Sequence, residues 1–259
     1  MTFLPVNDSV PAAVRRLRDS LDAPGLASAV AVYFAPGSGL PGRSFSFLGS
    51  NPRDAITGDD LLAVGLLDIT WRPGAVRDLL ENRAGLLSEL LAGIRSDLDL
   101  WEAADADLAA IDPMWQALTG VEGVGTATAS KLLARKRPRL CPVSDKVVVQ
   151  AAGVPGRTWE ALRTLLADPA ARTDVERLRP SSAADISLLQ ILGVAIWARH
   201  SPARAASRLR RVSGMAEPPA GPAAASVTML RQAVGHTASL ESRRERHYRR
   251  QPQGSPRRP

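Results

Sequence analysis

Residues 118–147 read LTGVEGVGTATASKLLARKRPRLCPVSDKV, and their pattern decides how the chain folds. Leu118 and Val121 are placed to finish one helix, Gly123-Val124-Gly125 to make a tight turn, and Thr126 to open a second helix. On that second helix Ala129, Leu132 and Leu133 fall on one face. Glycines at 123 and 125 permit positive φ and leave backbone N–H groups unshielded at a helix start. Val124, between them, is expected to plug the seam between the two helices. Open donors at a helix N-terminus suit an anion such as a phosphate oxygen.

The leucine, valine and glycine spacing of this stretch, followed by Pro142-Val143-x-Asp145-x-x-Val148, resembles the signature of the helix–hairpin–helix DNA glycosylase superfamily. Asp145 stands twenty residues beyond Gly125, a spacing that matches the family's aspartate. The resemblance implies that Gly123 and Gly125 contact a DNA phosphate. It also implies that Asp145 is a catalytic carboxylate assisting cleavage of an N-glycosidic bond. Such a group stabilises an oxocarbenium-like sugar and activates water, as in glycoside hydrolysis. Ala127 stands where bifunctional members carry a Schiff-base lysine, so lyase chemistry through that position is absent. The fuller string, with LDLWEAAD at 98–105 and TWEALR at 158–163, also resembles an uncharacterised actinobacterial family, a likeness that supplies no activity.

Charge around the hairpin points the same way. Lys131, Lys136 and Lys146 are the chain's only lysines, interleaved with Arg135, Arg137 and Arg139. Lys131 and Arg135, four residues apart on one helix face, read as a continuation of the phosphate-binding track. The alternative is a basic helix end in solvent, which the helix dipole favours in any case. Asp145 likewise has a second reading, as the cap of the helix that follows it. DNA-backbone binding with base excision therefore stands beside a non-enzymatic helical protein in which the hairpin is only a turn.

Outward from the hairpin, the chain reads as mostly α. Residues 9–22 form an amphipathic helix capped by Ser9, and Thr57, followed by two acids, starts another. Pro73 marks a helix start, Asp112-Pro113 repeats the signature, and helices are expected over 158–167, 173–178 and 184–198. Leu26–Phe34 and Ser44–Leu48, separated by APGSGLPGR, suggest a small β-hairpin. Three regions follow: residues 1–56, a helical hairpin-containing domain at 57–212, and an Ala/Pro-rich linker with a disordered basic tail at 213–259.

Composition sets the outer limits. The 259 residues carry 33 basic and 26 acidic side chains, a formal charge of +7, of which the seven arginines and two glutamates of residues 241–259 contribute most. The folded body is thus nearly balanced, and only local clusters can carry a nucleic-acid argument. Cys141 is the sole cysteine, so intramolecular disulfides and four-cysteine metal clusters are excluded, which fits a reducing cytoplasm. The three histidines lie far apart in sequence, and no metal or other cofactor is expected. MTFLPVNDSV lacks the positive start of a signal peptide, and the apolar runs are too short to span a bilayer. The expected partner is DNA, contacted without sequence preference; no membrane is expected, and the sequence names no protein partner. The five tryptophans read as core residues.

Overall fold

The computed structural model describes residues 9–216, which belong to one compact unit. Ser9 accepts from Ala12 N and opens α1 (Val10–Leu21), whose Ala13 and Leu17 are fully buried. The expected β-hairpin is instead two helices, α2 (Leu26–Phe34) and α3 (Ser44–Phe47). A nine-residue apolar run has no period that separates strand from helix. With no neighbouring strand, a buried segment satisfies its backbone groups by coiling. Alanines at 27, 29 and 31 favour that outcome.

Thr57 caps α4 (Gly58–Gly65) in a reciprocal box with Asp60. α5 (Pro73–Arg77) runs into a π turn over Asp78–Asn82, then α6 (Ala84–Ala92) and the short α7 (Asp105–Ala109) follow. α8 (Asp112–Thr119) and α9 (Thr126–Lys136) flank the hairpin. The second half holds α10 (Lys146–Ala152), α11 (Thr158–Ala167), α12 (Pro169–Arg177), α13 (Leu188–His200) and α14 (Arg204–Ser213). α13 is apolar on all sides because it is the central helix, with α1, α2, α10, α12 and α14 packed around it. Every element among the described residues is helical, and none is long and apolar enough to cross a membrane. Residues 9–56 pack as part of this body, and its last buried residue is Met215, three beyond the domain end expected at 212. The tail expectation for 217–259 lies outside the described residues.

The basic end of α9 points inward. Arg135 donates through Nε to Asp60 Oδ1 at 2.6 Å, and through its other nitrogens to the carbonyls of Phe45 and Leu48. Lys136 meets the other oxygen of Asp60 and also donates to Asn51 Oδ1 at 2.9 Å and Pro52 O at 3.1 Å. Arg137 binds the carbonyls of Ile94, Arg53 and Leu91 and the carboxylate of Asp54. These three cations are buried and staple α9 to α4, to the 45–54 segment and to the end of α6. Expected as surface charge, they are internal struts.

Removing one member of a buried, hydrogen-bonded ion cluster leaves the others charged without compensation, at about 3–5 kcal/mol. Asp60→Ala, which also removes the α4 capping box, is expected to lower the thermal midpoint by about 10 °C or more for a body of this size. A melting curve within about 2 °C of wild type would show that the cluster is not a support.

Candidate functional site

The hairpin is formed as its sequence suggests. α8 ends at Gly120, where Arg83 donates to the carbonyls of Ala117 and Gly120 and so ties down the last turn. Val124 is buried in the seam. Gly123 adopts φ +89°, which a side chain would resist, and a Cβ there would also press on Arg72. Gly125 behaves differently: its φ is −83°, an ordinary value, and it serves as the N-cap of α9. A Cβ on Gly125 would meet nothing within 4 Å, so the turn is open to solvent at that point. No side chain caps α9, which leaves the amides of Thr126 and Ala127 without an intrahelical acceptor.

The two cations expected to extend this track do not lie beside it on the surface. Arg135 is spent in the Asp60 cluster, with 1% of its surface exposed. Lys131 is also buried, and its Nζ donates to Leu67 O at 2.9 Å. α9 is covered on most sides, so a helical spacing that puts two cations on one face does not put that face in water.

Lys131 instead meets Asp145. The carboxylate divides its work between two neighbours. Oδ1 accepts from Val147 N at 3.0 Å and Val148 N at 3.2 Å, capping α10, while Oδ2 lies 4.0 Å from Lys131 Nζ. The preceding segment is pinned to α9 because Ser144 N donates to Ser130 Oγ, which in turn donates to Ala127 O. Burial pushes the Lys131 ammonium below the ordinary lysine range, against the opposing carboxylates of Asp145 and Asp68.

Asp145 and Lys131 share the wall of a cavity of about 540 Å³. Tyr33 and Phe34 from α2, Phe45 from α3 and Trp197 from α13 supply aromatic surface, with Tyr33 and Trp197 edge to face at 5.7 Å. Gln190 reaches the same space. Ser46 Oγ donates to its Oε1 at 3.1 Å, while Nε2 is buried without a partner. Whichever way that amide is turned, one polar atom remains unsatisfied, a state that buried groups rarely tolerate without a ligand or water. Asp68, also on the cavity wall, holds φ +61°, the one non-glycine among the described residues at positive φ. Strained backbone of this kind gathers at functional sites. Gln190 carried a signal in the sequence, as the polar residue inside an apolar run. Tyr33 and Asp68 carried none, and Lys131 was marked only as part of a phosphate track, because only tertiary packing brings these residues to Asp145.

Comparison with known families matches residues 26–200, from the start of α2 to the end of α13, to a family of unknown function, DUF6308. The chain belongs to DUF6308. No curated protein and no solved structure matches it. The DUF6308 region contains the hairpin, Lys131, Asp145 and Gln190; the cavity's remaining wall, Ser201 to Ala205, lies just beyond it. Cys141 also lines the DUF6308 cavity, where burial pushes its thiol up and leaves it protonated and inert. The chemically competent groups are therefore two carboxylates, Asp145 and Asp68, one ammonium and one amide, set in aromatic walls. Among the described residues no three His, Cys, Asp or Glu side chains gather as metal ligands would.

Two measurements test this geometry. Asp145→Ala is expected to cost about 1 kcal/mol through the lost α10 cap, whereas Asp145→Asn keeps an accepting oxygen and melts near wild type. Equal losses in both variants would show that the charge, not the cap, sets stability. Lys131 titrates below 10.5 when folded and near it when unfolded, so in that window the unfolded state binds more protons. Its contribution to stability therefore rises as pH climbs toward 10.5. Lys131→Met should flatten that part of the pH–stability curve, and an unchanged curve would place the ammonium in water.

Proposed function

We propose that the protein binds the DNA backbone through the open turn at Gly125 and takes one extruded base into the Asp145 cavity, where its N-glycosidic bond is cleaved. The observation that carries this reading is the place of Asp145, on the wall of a cavity of ligand size and on the segment strapped to the hairpin's second helix. Aromatic surfaces suit the two faces of a flat base, and Gln190 and Lys131 offer hydrogen bonds to its edge. A carboxylate there can stabilise positive charge developing on the sugar and orient water for attack. The phosphate contact falls to Gly123, Gly125 and the amides that follow, rather than to Lys131 or Arg135. A second reading is favoured by the two amide bonds that Asp145 accepts, in which it only caps α10 and the protein is a non-enzymatic binder.

The experiment is incubation of the full chain with duplexes carrying deaminated, alkylated and oxidised bases, analysed with and without alkali. Base loss leaving abasic sites that break only in alkali is expected, since the hairpin position is Ala127. Asp145→Asn should reduce the rate by about a hundredfold or more, with DNA affinity and melting unchanged. If no duplex in a broad panel loses a base, the non-enzymatic reading replaces this one.

A further inference from the structure

Elsewhere in the body arginines are repeatedly paired with an acid three residues away: Arg157 with Glu160, Arg177 with Asp174, Arg179 with Glu176. α14 breaks that habit. Its sequence, RAASRLRRVS, has four arginines, and no acid occurs between His200 and Ala216. Arg210 is buried and donates to Ala198 O at 2.7 Å and Ser201 O at 3.0 Å, locking α14 to the end of α13. Arg204, Arg208 and Arg211 are exposed, and none of them has a hydrogen bond or ion pair with any described residue.

Their spacing of four and three residues puts all three on one stripe of the helix. Helix stability does not account for them. Like charges at these spacings repel, and Arg204 sits in the first turn, where the dipole disfavours a cation. Only Arg211, in the last turn, is placed as the dipole prefers. The stripe begins at the cavity: Ala203 and Ala205 line it, with Arg204 between them.

We propose that Arg204, Arg208 and Arg211 form a nucleic-acid phosphate track leading from the mouth of the Asp145 cavity. The proposal rests on the nucleic-acid reading above and adds a second contact surface to the hairpin. The stripe spans about 10 Å along the helix, the distance over which one strand of B-DNA presents about three phosphates. A membrane surface fits less well. α14 buries Ala206 and Leu209 against the body, leaving Val212 as its one large exposed apolar side chain, and interfacial helices insert an apolar face.

The test compares the full chain with the triple variant Arg204→Gln, Arg208→Gln, Arg211→Gln. A DNA duplex, phosphatidylserine vesicles and polyglutamate serve as probes, each over a range of salt. Wild type should bind duplex with a steep salt dependence, and the triple variant should lose about 2 to 3 units of the log–log slope, at about 0.9 per contact. Its melting temperature should hold or rise as the repulsion is relieved. If wild type binds duplex and the slope is unchanged in the variant, the track is overturned while the hairpin reading stands. If vesicles or polyglutamate, but not duplex, bind in an arginine-dependent way, a membrane or an acidic protein replaces nucleic acid. Absence of duplex binding by wild type overturns both readings.

Discussion

Asp60 is the carboxylate on which the arrangement turns. It is wholly buried, closes the capping box of α4 and receives both Arg135 and Lys136. A single carboxylate facing two cations is short of negative charge, and the balance is met by dipoles. The carbonyls of Phe45, Leu48 and Pro52, the amide of Asn51 and the negative end of α9 all face the cations. Satisfying so many donors requires the 45–54 segment to lie in one conformation, which explains how a stretch with little regular structure is held in place.

The cluster also sets the candidate site. α9 is anchored at its C-terminal end by the cations and at its N-terminal end by the hairpin, so Lys131, midway along, has little freedom. Ser130, its neighbour, holds Ser144 and thereby Asp145. The carboxylate thus sits on a short chain of rigid supports, the kind of preorganisation that a site for charge development needs. Much of the remaining wall comes from α2 and α13, which belong to the central packing rather than to the cluster.

Much of this was legible wherever local chemistry decides structure. Ser9, Thr57 and Pro73 each start a helix as their residue types demand, and the GVG turn lies between helices as expected. Leu26–Phe34 was not legible, because an unbroken apolar run carries no period and its helical state follows from burial on several sides. α12 starts at Pro169, earlier than expected, since Asp168 supplies the cap. The site was legible only in part. Asp145 could be found from spacing within one segment. The partners that define its surroundings are remote: Arg135 meets Asp60 across 75 residues, and Lys131 meets Leu67 across 64. A run of basic residues has the same appearance in a sequence whether it faces water or a buried aspartate.

The inward turn of the basic segment changes the electrical character of the body as an approaching polyanion would feel it. Residues 9–216 hold 25 basic and 22 acidic side chains. Five of those cations and one of those acids are buried. What remains at the surface is 20 against 21, which is neutral to within one charge. A chain with an isoelectric point near 10.6 therefore presents a body with almost no net field at long range. Diffusional capture of a polyanion gains little from such a body, since steering needs a summed potential extending beyond the screening length. Attraction develops only at contact distance, over patches where cations lack partners, so orientation on arrival governs productive encounters more than total charge does.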